Sequence, residues 1–209
     1  MIAGRMTQPA HRILPQPRSV APHDDIVVLH GAGWADFQRM LEIRGDRSAP
    51  RFAYLRGSLE IMRPSQPHEW IKSATGCLIE AWCTVRGIEF SPIGSWLLEH
   101  KEAERGVEPD ECYLFGVETD RPRPDLAIEV VWTSGGIDKL QIYRKLGVRE
   151  VWYWEHGSFR AFALRDEQYV GIEHSEVLPG IDLVQIAEYV QLRPTSRAVR
   201  EYRAALGSE

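Results

Sequence analysis

The sequence has few cysteines and no excess of positive charge. Its three cysteines, Cys77, Cys83 and Cys112, are an odd number without a CxxC pair, which argues against a disulfide framework and a cysteine zinc site. Acidic residues outnumber lysine and arginine by 30 to 25, for a formal net charge of −5. Proteins that coat nucleic acid through bulk electrostatics are usually basic, so the composition argues against a histone-like role. It leaves room for an enzyme that contacts nucleic acid with one face.

Long hydrophobic runs are also missing. No stretch approaches the roughly 18 apolar residues of a membrane span, and residues 1–12 have no apolar segment of the secretory type. We therefore expect a cytoplasmic protein without membrane contact. The composition is typical of a globular domain, since 44% of the 209 residues are hydrophobic and 26% are charged.

The chain divides into three parts by composition. Residues 1–25 contain four prolines and few large apolar residues, which predicts a flexible N-terminal arm. Residues 26–192 carry the periodic apolar patterns and are predicted to form a single domain. Residues 193–209 contain four arginines and are predicted to be a basic C-terminal tail.

Apolar periodicity within the domain predicts strands, then helices, then strands again. A short helix is expected over Trp34–Ile43, followed by a hairpin that turns at Gly57. A long helix should begin after the cap Ser65 and end at Gly87, and a second helix should span residues 136–146. Further strands are expected at 88–90, 95–98, 112–115, 126–132, 150–155, 159–164 and 169–172, and a terminal strand and short helix over 181–190. This order predicts an α/β or α+β domain.

Glu129 stands inside the apolar strand 126–132, and a charge buried there must be neutralised, paired or bound to a metal. The simpler alternatives are a solvated edge strand and a structural salt bridge. Asp125 is four residues away on the same strand face, about 13 Å distant, so one metal ion cannot bridge the two carboxylates. Asp110, on a different strand, has no such restriction.

Three more polar residues are candidates for the same site. Lys139 lies among inward positions of the second helix, where it either extends to the surface or faces a polar site. Glu60 stands between apolar residues of the hairpin. His68 either caps the long helix or lies near the site, and its role stays open.

Four ordered motifs resemble the Uma2 family within the PD-(D/E)xK nuclease superfamily. They are Gly57-Ser58-Leu59-Glu60-Ile61-Met62 with His68 after it, Pro109-Asp110, Pro124-Asp125 with Glu129-Val130-Val131, and Asp138-Lys139 with Tyr143 and Gly147-Val148-Arg149-Glu150-Val151-Trp152. The resemblance covers roughly Trp34 to Leu192. It implies a restriction-endonuclease-like mixed central sheet flanked by helices, with additional antiparallel strands.

The resemblance also implies a function and a site. The family's metal ligands fall on Asp110 and Glu129, its lysine on Lys139, and, less directly, another site residue on Glu60. The implied reaction is hydrolysis of phosphodiester bonds in nucleic acid, most simply DNA, with Mg²⁺ as the metal and Mn²⁺ as a substitute. The usual lysine position holds Val131, and the loop 132–136 is shorter than in the family.

The residues and the resemblance are compatible with three functions. One is a Mg²⁺-dependent endonuclease; the second is a binding or assembly module that keeps the nuclease fold without catalysis; the third is an enzyme acting on another phosphoester. Carboxylates open to solvent would favour a metal site, whereas an arginine salt bridge to them would favour the module. We also expect a homodimer, the commonest assembly of soluble proteins. Alanine at Asp110 or Glu129 is expected to abolish cleavage and leave the fold intact.

Overall fold

The structure is a computed structural model that describes residues 22–207. Its helices are α1 Trp34–Arg44, α2 Gln66–Arg86, α3 Lys139–Leu146, α4 Leu183–Gln191 and α5 Thr195–Leu206. Its strands are β1 Asp25–His30, β2 Arg51–Leu55, β3 Ser58–Arg63, β4 Phe90–Pro92, β5 Leu98–His100, β6 Arg105–Val107, β7 Glu111–Phe115, β8 Leu126–Val131, β9 Glu150–Glu155, β10 Ser158–Arg165 and β11 Gln168–Ile172.

The strands form two sheets. The first is antiparallel with the order β1-β3-β2-β6-β5, and the second has the order β11-β10-β9-β8-β7-β4. In the second sheet β8 and β9 are parallel and the other neighbours antiparallel. A parallel pair needs a crossover connection, which α3 supplies. The predicted mixed α+β fold of the restriction-endonuclease type is confirmed.

Strand β8 is the central element because both of its faces are covered. Leu126, Ile128 and Val130 pack in the core formed with α2, α4 and α5. Ala127, on the opposite face, packs with Ile142 of α3 and with apolar residues of the first sheet. This burial explains the nearly continuous apolar sequence of the strand. It also turns Glu129, which shares the face of Ala127, toward α3.

The long helix α2 begins and ends at the predicted residues. The Ser65 side chain accepts a hydrogen bond from the His68 N–H at 3.5 Å, and Gly87 ends the helix with a left-handed φ of 67°. Between these caps the helix buries an apolar stripe that includes Leu78, Ile79 and Trp82. The signals are local, which is why the sequence predicts them well.

The two ends of the domain differ from the prediction. The segment expected as a basic tail forms α5, which packs on α2 and buries Ala198, Tyr202 and Leu206. Its arginines alternate with these apolar residues at helical spacing, so only one face is basic. The segment 181–190 contains α4 without a preceding strand. Strand β1 begins inside the predicted arm at Asp25, and residues 1–21 of that arm lie outside the described residues.

The helices of the described chain, residues 22–207, include none that is both long and apolar enough to span a membrane. The expected cytoplasmic location stays a prediction.

Gly106 of β6 is required by close packing under α1. A Cβ atom there would lie 2.4 Å from the ring of Phe37, which is fully buried and stacks on Tyr54. We expect Gly106→Ala to lower the free energy of unfolding by about 1–3 kcal/mol, because the ring cannot move away without disturbing the core. Urea denaturation measures the change.

The matched control is Gly171→Ala in β11, where no atom lies within 4 Å of the added methyl group. We expect that variant to be as stable as the parent or slightly more so. Equal stability of the two variants would contradict the packing described for Phe37.

Candidate active site

A cavity of about 260 Å³ lies where β3 of the first sheet faces β8 and β9 of the second. Glu60, Glu129 and Lys139 line it, and the loop 133–137 forms one wall. The parallel strands β8 and β9 end at this cavity, and α3 begins there. Substrates commonly bind at the carboxyl ends of parallel strands, so the location suits an active site.

Lys139 links the two glutamates across the cavity. Its ammonium donates to Glu129 Oε2 at 2.7 Å and lies 3.7 Å from Glu60 Oε1. Lys139 is the first residue of α3 because the Asp138 side chain caps the helix, accepting a hydrogen bond from the Leu140 N–H at 3.1 Å. The helix therefore starts three residues later than predicted. Lys139 faces a polar site, the second of the two alternatives considered for it.

Burial and ion pairing act against each other on the lysine. Burial would lower the pKa of Lys139, but the charges of Glu129, Glu60 and Asp110 raise it above the usual value. The ammonium therefore stays protonated at neutral pH.

Glu129 is nearly fully buried yet forms part of the cavity wall. Its Oε1 accepts a short hydrogen bond from the Tyr143 hydroxyl, and its Oε2 accepts from Lys139. Burial raises the pKa of Glu129 above its usual value, and the nearby charge of Asp110 raises it further, whereas Lys139 acts in the opposite direction. Since neighbouring charges shift this pKa, the protonation state of Glu129 depends on the charges present in the cavity.

Glu60 ties the loop to the first sheet. Its Oε2 accepts a hydrogen bond from the Ile137 N–H at 2.8 Å. A Cβ at Gly136 would lie 2.4 Å from that same oxygen, so glycine lets the loop approach the carboxylate. The second oxygen, Oε1, points toward Lys139. Glu60 therefore combines a structural contact with an oxygen available to the cavity.

Asp110 lies behind the cavity, in the link between β6 of the first sheet and β7 of the second. It is fully buried and does not line the cavity. Arg51 donates a short hydrogen bond to Oδ1, and the Val130 N–H donates to Oδ2 at 2.7 Å. Removing this carboxylate takes one of the two acidic partners from the buried Arg51, which keeps only its ion pair with Glu69, so the alanine variant is expected to lose stability. That revises the expectation of an intact fold.

His68 joins Asp110 to a second buried carboxylate. Its Nε2 lies 3.0 Å from Asp110 Oδ1, and its Nδ1 lies 3.0 Å from Asp24 Oδ2. Burial would lower the pKa of His68, but the two carboxylates raise it to about 9. Burial would likewise raise the pKa of Asp110, which His68 and Arg51 hold below its usual range. At neutral pH the imidazolium and two carboxylates form one charged chain.

Asp125 lies outside this group, as the geometric argument against its pairing with Glu129 predicts. Its carboxylate accepts from the Phe115 N–H at 2.9 Å and from Arg121 at 3.0 Å. The structure thus gives it a structural contact at the start of β8.

Sequence reasoning missed Arg51 and Asp24. Arg51 opens an otherwise apolar strand, and an arginine in such a run without a local acidic partner is the signal that could have identified it. Asp24 fell in the part expected to be a flexible arm. Its partner is 44 positions away, and no local pattern records a contact of that range.

The donor set suits a hard divalent cation at one place. Glu60 Oε1 and Glu129 Oε2 lie 3.7 Å and 2.7 Å from the Lys139 ammonium, so a cation bound by these two oxygens would share them with the lysine. Within residues 22–207 there is no group of three or more His, Cys, Asp or Glu side chains arranged to hold a metal. Mg²⁺ usually binds proteins through one or two carboxylates and takes its other ligands from water and substrate phosphate. Two glutamates therefore fit it.

A family model matches most of the chain. The model of the Uma2 family, described as "Putative restriction endonuclease", matches residues 34–195. The matched range includes all the cavity glutamates and Lys139 and leaves out Asp24. No curated protein matches the chain.

The His68 ion pairs make stability depend on pH. The folded pKa of about 9 lies above the unfolded value of 6.5, so this stabilisation is complete below pH 6.5 and is lost as pH rises through 9. We expect the free energy of unfolding to fall by roughly 3 kcal/mol over that window. In His68→Gln the fall should be absent, and denaturant titrations at several pH values measure both proteins. Parallel pH curves for the two proteins would contradict the ion pairs.

Proposed function

The chain belongs to the Uma2 family of restriction-endonuclease proteins, and from that premise we propose that it is a metal-dependent endonuclease acting on DNA. The observation that carries this proposal is the convergence of Glu60 and Glu129 on Lys139 inside an open cavity. Two carboxylates and a protonated lysine at the end of parallel strands offer oxygen ligands for a metal ion and a donor for the charge that develops on a phosphoryl group, which supports phosphodiester hydrolysis.

Glu129 and Glu60 are the residues that would hold Mg²⁺ or Mn²⁺, and Asp110 stays a further predicted ligand. A bound divalent ion supplies a Lewis acid for a phosphoryl oxygen and an acidified water. Its positive charge would also help a phosphate to enter the cavity. A phosphate entering a cavity walled by glutamates would meet like charge, so a cation must reduce that repulsion.

Lys139 would stabilise charge rather than remove a proton. Because its pKa is raised, the ammonium cannot act as a base near neutral pH. It can donate a hydrogen bond to the negative charge that develops on the phosphoryl group. Tyr143 keeps Glu129 oriented toward Lys139 by donating to the other carboxylate oxygen. The residues on this face of α3 thus hold the acidic group in one geometry.

A second candidate function is supported by the ion pair between Arg51 and Asp110. Arg51 occupies the carboxylate oxygen of a predicted metal ligand, and such occupancy favours a nuclease-fold module without catalysis. The endonuclease cleaves DNA and the module does not, so a cleavage assay separates the two candidate functions. The expected homodimer belongs to both proposals, and light scattering of the purified protein tests it.

Cleavage of supercoiled plasmid should require both a metal and the cavity residues. We expect nicking with Mg²⁺ or Mn²⁺ that stops on addition of EDTA. Glu129→Gln should lower the rate at least 100-fold by removing the charge that holds the cation. Lys139→Met should lower it by roughly 10²–10³-fold because a charge-stabilising donor is lost. Initial rates at one metal concentration, chosen to saturate the parent protein, measure these changes.

The matched control for the lysine is Lys145→Met on the same helix. Lys145 pairs with the exposed Glu167 outside the cavity and should be neutral for the rate. Metal-dependent nicking that survives both Glu129→Gln and Lys139→Met would place the activity elsewhere. No nicking by a folded parent protein would favour the module.

A further inference from the structure

The segment ahead of β1 is attached to the loop that forms a wall of the cavity. The Trp132 indole N–H donates to the Pro22 carbonyl at 2.9 Å. The Asp24 backbone N–H donates to Thr133 Oγ1, also at 2.9 Å. Residues 22–24 therefore lie across the start of the loop at two successive positions.

The Asp24 side chain reaches inward from the same segment. It is 4% exposed, and its Oδ1 accepts from the Ser65 N–H at 2.8 Å. Its Oδ2 lies 3.0 Å from His68 Nδ1, while the other ring nitrogen lies 3.0 Å from Asp110 Oδ1. A single residue thus connects the cavity loop, the first turn of α2 and the buried carboxylate behind the site.

We propose that Asp24 is a positioning residue of the candidate active site and that it acts through His68. The proposal rests on the proposed function, since it concerns the same site. Asp24 lies outside the residues 34–195 that match the family model.

The physical reason is the orientation of the imidazole ring. A histidine that is hydrogen-bonded at Nδ1 and has a carboxylate oxygen 3.0 Å from Nε2 favours one ring orientation, and partners of this kind fix the groups around an active site. Without the charge of Asp24, nothing described at Nδ1 favours the orientation that brings Nε2 to Asp110. Asp110 would then be held only by Arg51 and the Val130 N–H. Because Val130 follows Glu129 in β8, a less fixed Asp110 would leave the backbone next to Glu129 less fixed as well.

The test compares Asp24→Asn with Asp25→Asn in the full-length protein. Asparagine keeps the size of the side chain and an acceptor for the Ser65 N–H but removes the charge facing His68. Asp25 is the adjacent acid and is exposed, so its variant is the matched control. We expect Asp24→Asn to lower kcat about 10-fold with little change in KM, and Asp25→Asn to leave both unchanged.

A double mutant separates positioning through His68 from a general loss of structure. If Asp24 acts through His68, Asp24→Asn combined with His68→Gln should lose no more activity than His68→Gln alone. Losses that multiply would overturn the proposal. Equal kcat in Asp24→Asn and the parent would overturn it as well.

Nuclear magnetic resonance of the His68 ring gives a readout independent of cleavage. At one fixed pH, the Nδ1 proton signal should move or disappear in Asp24→Asn and stay in place in Asp25→Asn. An unchanged signal in Asp24→Asn would overturn the proposal. A parent protein without any cleavage would refute the proposed function instead. The resonance measurement alone would then test whether Asp24 orients the His68 ring.

A second variant covers the case in which Asp24→Asn does not fold. Thr133→Val removes only the oxygen that accepts the Asp24 N–H. Hydrogen exchange of the Asp24 amide should then be faster than in the parent. Unchanged exchange would show that the loop does not hold Asp24 in the place from which its side chain reaches His68, and would overturn the proposal.

Discussion

Asp110 is a fully buried carboxylate at the junction of the two sheets, and the groups that balance its negative charge come from the elements around it. Arg51 reaches it from β2, His68 from α2, and the Val130 N–H from β8. A buried charge without such partners would cost several kcal/mol. Each partner belongs to a different element, so satisfying one carboxylate fixes the first sheet, the long helix and the central strand relative to one another.

This arrangement divides the polar groups into two sets with different roles. The inner set, centred on Asp110, has partners for each of its charges, and of its members only Asp24 lines the cavity. The outer set consists of Glu60, Glu129 and Lys139, which face the cavity with two carboxylates against one ammonium, while Glu155, which also lines it, pairs with Arg160. The inner set provides rigidity, whereas the outer set has an unbalanced negative charge. That imbalance is what a divalent cation and a phosphate together would remove.

The parts of the fold with local signals could be predicted from the sequence. Ser65 and Gly87 mark the ends of α2, and the apolar run around Glu129 predicts a buried strand. Asp125 could be separated from Glu129 because the rise of a strand is fixed. Asp110, Lys139 and Glu60 are candidates from their residue types and positions, the family resemblance adds their roles, and the match over residues 34–195 confirms the family.

The parts that escaped prediction depend on distant partners. Arg51 and Asp110 are 59 positions apart, and Asp24 and His68 are 44 apart. Composition made residues 193–209 look like a tail, although Ala198, Tyr202 and Leu206 share a helical face that α2 buries. In each case the residue types are visible, but the contact that gives them a role exists only after the chain has folded.

The most direct test of the central claim is calorimetric titration of the protein with Mn²⁺. The structure leads us to expect a single saturable site in the parent that is lost in both Glu129→Gln and Glu60→Gln. The site should persist in Glu118→Gln, a control on the exposed surface. Identical binding by all four proteins, or the lack of any saturable binding by the folded parent, would contradict a cation site formed by these two glutamates.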